Sequence, residues 1–146
     1  MAKQSALDTL IELAQRDTDD AAKRLGAALK AVDEAEQKLT MLLGFRDDYG
    51  VKLEAAQLAG ITPMAYRNFI AFIDKLEVAI NGQRDIVKQV QFRSTTEKTL
   101  WQAAERKRLS YRTLSERAAT AALRLENKLD QKQMDEHAAR QAYHKR

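Results

Sequence analysis

Residue types able to do chemistry are thinly spread in this sequence. The two histidines, His137 and His144, lie seven apart. A metal site on a helix wants ligands one turn apart, at i and i+4 with carboxylate help, so no metal is expected. The carboxylate pairs Asp19–Asp20 and Asp47–Asp48 are sequence neighbours and read as solvated faces. There is no glycine-rich phosphate loop and no nucleophile elbow. Cysteine is absent, which excludes disulfides and thiolate sites. The cluster ERKRLSYR at 105–112, near Trp101 and Tyr111, is diluted by Glu97, Glu105 and Glu116. A DNA-reading helix concentrates basic residues more densely. The cluster therefore reads as a solvated face or a surface for an acidic protein partner; nucleic acid is not expected. No catalytic residue, cofactor or enzymatic activity is expected.

The pattern that does suggest a site is apolar. Lys38, Leu42, Phe45 and Tyr49 share the spacing i, i+4, i+7, i+11 with Phe72, Leu76, Ala79 and Gln83. On helices each set forms one stripe. Two uncovered stripes at one height would make an exposed apolar patch, the usual mark of a protein-binding surface. The alternative is that Phe45 and Phe72 only thicken a helix–helix seam.

What positions these stripes is an all-α frame. Charged residues are 32% of the chain, and Gly and Pro number five and one. Such a mixture, rich in Ala, Leu, Glu, Lys, Arg and Gln, reads as long helix or coiled coil. The break is AAQLAGITPMAYRNF, residues 55–69. Gly60 can end a helix in the left-handed conformation, Thr62 can cap the next, and Pro63 suits its first position. Ile61 and Tyr66 fall at the hydrophobic-staple positions around that cap. A stop and a start so close make a hairpin tip and antiparallel neighbours.

The expected organisation is a single coiled-coil domain over 1–146: helix one about 3–59, tip 60–62, helix two about 63–142. In the first helix Ile11, Thr18, Leu25, Val32, Leu39, Arg46 and Leu53 alternate with Leu7, Ala14, Ala21, Ala28, Ala35, Leu42, Tyr49 and Ala56. That 3/4 spacing is a coiled-coil seam. The second helix continues with Phe69, Ile73, Leu76, Ile80, Val87 and Val90. After STTEKT, 94–99, the stripe is expected to resume as Leu100, Ala104, Tyr111, Leu114, Ala118, Ala121 and Leu125, slipped by about one residue. Such a slip bends or overwinds the pair; it reads as a solvated flaw or as a hinge. At 1.5 Å per residue the helices span roughly 80 and 120 Å, so the second overhangs beyond about Ala119. A lone helix of that kind is marginal in water and calls for a docking partner.

Residues 1–58 carry eight basic and eleven acidic groups, and residues 64–146 carry seventeen and ten. The opposite signs favour a hairpin over self-pairing of each helix. The start, MAKQSALDTLIELAQRD, does not read as a signal peptide, and no run approaches the ~18 apolar residues of a membrane span. A cytosolic protein, reaching membranes only through partners, is expected.

Along nearly its whole length the chain resembles the FliJ family of the bacterial flagellar type III export apparatus. The resemblance is carried by ALDTLIELA (6–14), DDAAKRLG (19–26), AEQKLTMLL (35–43) and above all AALRLENKLDQKQMDEHAAR (121–140). It implies a non-catalytic, stalk-like adaptor similar to the central stalk of rotary ATPases. The end with both termini would enter a hexameric flagellar export ATPase and promote its assembly. The adaptor would also contact the cytosolic domain of the export-gate membrane protein and escort flagellar export chaperones. The two aromatic stripes become the implied gate surface, and Arg124, Lys128, Lys132 and Arg140 the implied contacts to acidic pore loops. Lys38, Gln83 and His137 depart from the family pattern. The resemblance places the protein in the cytoplasm, peripherally associated with the membrane at the flagellar base. The rival reading is a structural or nucleic-acid-associated coiled coil, as a parallel dimer without a hairpin.

Overall fold

The computed structural model describes residues 2–145 and consists of two helices, α1 (Ala2–Ala59) and α2 (Pro63–His144). Among the described residues there is no strand. The connection follows its sequence chemistry. Gly60 has φ +87°, and its N–H donates to the Gln57 carbonyl at 3.2 Å, closing the end of α1. Thr62 Oγ1 accepts from the Ala65 N–H at 3.1 Å, satisfying one of the free donors that open α2. A Cβ at Gly60 would meet no atom within 4 Å, so only the backbone conformation resists substitution. Gly60→Ala is therefore expected to cost about 1–2 kcal/mol, the penalty of a left-handed L-residue, read as a lower denaturant midpoint at unchanged slope.

The chain divides into two compact units: residues 20–101, which include the tip, and residues 1–19 with 102–146. In the first, residue numbers rising along α1 meet numbers falling along α2. Gln83 Nε2 donates to the Ala35 carbonyl at 3.0 Å, and Arg24 Nε lies 3.4 Å from Glu97 Oε2. Arg46 Nη1 bonds Glu77 Oε1 at 3.3 Å, and Gln91 Nε2 bonds Glu36 Oε1 at 3.2 Å. The core sets small residues against large ones: Ala21, Ala28 and Ala35 on α1, with Leu76, Ile80 and Val87 on α2. The alanines let the helix axes approach, while Ile80, fully buried, supplies apolar area. Gln83 is buried in this core with its amide donor satisfied, so its burial leaves that group no unmet demand.

In the second unit Ala14 and Thr18 are buried, with Leu7 and Ile11 half-buried. Thr18 Oγ1 donates to the Ala14 carbonyl at 2.8 Å, which makes a hydroxyl tolerable in the seam. From α2 this unit uses Ala104, Arg108, Tyr111 and Ser115, all half-buried. Every described residue from Glu116 to Lys145 is exposed, as the overhang argument requires.

The expected register slip does not occur. The half-buried or buried positions of α2 keep 3/4 spacing through Val87, Val90, Ser94, Glu97, Trp101, Ala104, Arg108, Tyr111 and Ser115. Leu100 and Leu114, assigned to the seam on sequence, are 49% and 50% exposed. The physical reason lies in the hydroxyls. Ser94, Thr95, Thr96 and Thr99 donate to carbonyls three or four residues back, so this polar stretch remains helical. The helix runs through without a discontinuity in its heptad phase, and polar side chains take seam positions.

Candidate protein-docking surfaces

The residues flanking each seam position decide what faces solvent. Glu36 follows Ala35, Gln91 follows Val90, and the two meet across the helices at 3.2 Å. Residues that follow a seam position thus share one side of the pair, and those that precede one share the other. Lys38, Phe45, Phe72 and Ala79 all precede seam residues and all are exposed. Phe45 is 47% and Phe72 40% exposed. Tyr49 and Leu42, half-buried at the seam edge, complete the surface. The Tyr49 ring stacks on Phe72 at a centroid distance of 4.2 Å and meets Phe69 edge-on at 6.4 Å. Lys52 Nζ sits 5.2 Å from the Tyr49 centroid, giving the aromatic cluster a cationic edge. An open hollow of about 360 Å³ lies against Tyr49, Ala65, Asn68, Phe69 and Phe72.

Two members of the predicted stripes do not reach this surface. Leu76 and Gln83 are 8% and 5% exposed and belong to the seam. A stripe spaced i, i+4, i+7, i+11 alternates between the seam and its edge, so the second and fourth residues on α2 turn inward. Their place is taken by Ile86 (44% exposed), seven beyond Ala79 and preceding Val87. The heptad arithmetic that gave Phe72 and Ala79 also yields Ile86; extending it by one turn finds the residue from sequence.

Arg124, Lys128, Lys132 and Arg140 are all exposed on the unaccompanied end of α2. Steps of four advance about 40° around a helix, so the first three spread over about 80° and Arg140 lies about 160° from Arg124. They form a spiral, not a single face, interleaved with Glu126, Asp130, Asp135 and Glu136. His137 Nε2 lies 3.2 Å from Gln141 Nε2 and is exposed. Among the described residues no group of three or more His, Asp or Glu could hold a metal.

Electrostatics within the second unit centre on Arg108, half-buried at the seam. Its Nε donates to Glu105 Oε2 at 3.1 Å. That hydrogen bond holds the Glu105 carboxyl below the ordinary range and raises Arg108 above its own. The charge cluster at 105–112 is thus partly a structural pair. Arg112 Nε similarly lies 3.5 Å from Glu116 Oε1.

Comparison with known proteins fits this geometry. The family model for the flagellar FliJ protein matches residues 3–146. A flagellar FliJ protein of Escherichia coli is 38% identical over 99% of both chains. One from Salmonella typhi is 35% identical over 99% of both. Among solved structures, one from Chlamydia trachomatis, described as that of a YscO homolog, superposes with a TM-score of 0.71 at 15% identity. It covers 94% of this chain and 90% of that one, and shares the fold. No helix among the described residues is long and apolar enough to cross a membrane.

Proposed function

Because this chain belongs to the FliJ family of flagellar proteins, non-catalytic components of flagellar export, we propose that it acts there as a stalk-like adaptor between a hexameric export ATPase and the export gate. The bare end of α2, exposed from Glu116 to Lys145, enters the ATPase ring and promotes its assembly and activity. The Phe45–Phe72 surface contacts the cytosolic domain of the gate membrane protein. Empty export chaperones are escorted by the same adaptor, which works in the cytoplasm and reaches the membrane at the flagellar base through these partners.

The observation that carries this reading is the unaccompanied stretch itself. A single amphiphilic helix with Leu125, Leu129 and Met134 more than half exposed is costly to leave in water. Insertion into a ring supplies the missing neighbours. Arg124, Lys128 and Lys132 then meet acidic loops, where electrostatic complementarity sets orientation and on-rate. Reversing all three to Glu is expected to weaken binding to the purified ATPase at least tenfold, measured by titration in low salt, with an unchanged melting curve. Equal affinity of the reversed protein removes these residues from the interface.

A further inference from the structure

A second apolar face lies within the unit formed by residues 1–19 and 102–146, where the last paired turns of α2 give way to its bare end. Leu10 precedes the seam residue Ile11 and Leu114 precedes Ser115, so they flank the seam on the same side, with Leu13 beside Leu10. Leu10, Leu13 and Leu114 are 41%, 49% and 50% exposed. A seam made of Ala14, Thr18, Ala104 and Ser115 is narrow, and leucines beside it find little to cover them.

The rim of this face is basic. Arg106 and Arg117 stand eleven residues apart and fall within about 20° of each other around α2, along the outer edge of the leucine line. Lys107 lies on the inner edge. The nearby acids are already engaged: Glu105 with Arg108 at 3.1 Å and Glu116 with Arg112 at 3.5 Å. Among the described residues no carboxylate pairs with Arg106, Lys107 or Arg117. An open hollow of about 520 Å³ is bounded by Arg106, Leu114 and Arg117, among others. On α1 the edge carries the acid Asp17, so the positive rim is on the α2 side alone.

We propose that this face docks an acidic amphipathic helix as a third strand, its apolar stripe on Leu10, Leu13 and Leu114 and its carboxylates along Arg106 and Arg117. The chemistry is that of a helix laid on a groove, where apolar anchors give affinity and flanking charges fix direction. One-sided charge favours a partner with its acids concentrated on one flank of its apolar stripe. A second copy of this chain offers no such segment, because its own overhang interleaves acids with bases.

The test uses the full chain and two labelled synthetic helices of about 21 residues with leucines at seam spacing, one flanked by glutamates and one by lysines. By fluorescence anisotropy the glutamate helix is expected to bind at least tenfold more tightly than the lysine helix. Leu13→Glu with Leu114→Glu is expected to lose at least tenfold. Arg106→Glu with Arg117→Glu is expected to reverse the preference, a change that loss of folding does not produce. Reversal of Arg124, Lys128 and Lys132 leaves the binding unchanged, which separates this face from the ATPase contacts. Equal binding of both helices, indifference to both double variants, or a concentration-dependent dimer lost in Leu114→Glu overturns the proposal.

Discussion

A protein ending at Leu123 is expected to retain its hairpin and lose all stimulation of the export ATPase. Removing residues 124–146 takes away only positions that are exposed wherever they are described. None contributes to the seam, whose last half-buried residue is Ser115. The melting temperature should therefore move by no more than about 2 °C, since roughly 1 kcal/mol shifts it by about 2–4 °C in a chain of about this length. Helical circular dichroism should fall only in proportion to the residues removed. ATP hydrolysis by the purified ATPase, with and without the shortened protein, is the deciding measurement. Full stimulation by the truncated protein would relocate the ring contact to the paired part of the helices.

The second large effect is expected at the aromatic surface. Phe45→Ala combined with Phe72→Ala should weaken binding to the gate protein's cytosolic domain by tenfold to several hundredfold. Buried aromatic anchors at an interface typically cost 2 kcal/mol or more each when truncated, with imperfect additivity. The stability cost should be far smaller, because both rings are already nearly half exposed. The main loss within the fold is the Tyr49–Phe72 stack, worth about 0.5–1.5 kcal/mol. Calorimetric titration alongside a thermal melt separates the two quantities. Leu76→Ala gives the contrast, as a buried leucine at the same height should destabilise by about 2–5 kcal/mol. If the double phenylalanine variant behaves like Leu76→Ala in the melt, its aromatic rings serve the seam and not a partner.

Much of this frame is legible in the sequence because helix punctuation is local. Gly60, Thr62 and Pro63 specify the turn through their own backbone preferences, and the α1 seam from Leu7 to Ala56 follows from spacing alone. The register of α2 beyond residue 94 was harder to read for a definite reason. Hydrophobicity follows Leu100 and Leu114, whereas the seam keeps one heptad phase through Ser94, Glu97, Arg108 and Ser115. Where the partner strand presents alanine, a polar or charged residue can occupy a seam position without displacing the neighbouring helix. The same conflict explains the docking surface. Phe45 and Phe72 stand outside the seam as their spacing demands, but Leu76 and Gln83 lie inside it. Gln83 was not readable as buried, since its cross-helix bond to Ala35 exists only once the hairpin has closed.

That buried amide has a mechanical consequence. Apolar knobs can slide by a heptad and find similar neighbours, but an amide that has surrendered its water must keep its carbonyl. Gln83 thus acts as an index pin against Ala35, with the Tyr49–Phe72 stack a second detent nearer the tip. Both contacts oppose sliding of one helix along the other within residues 20–101.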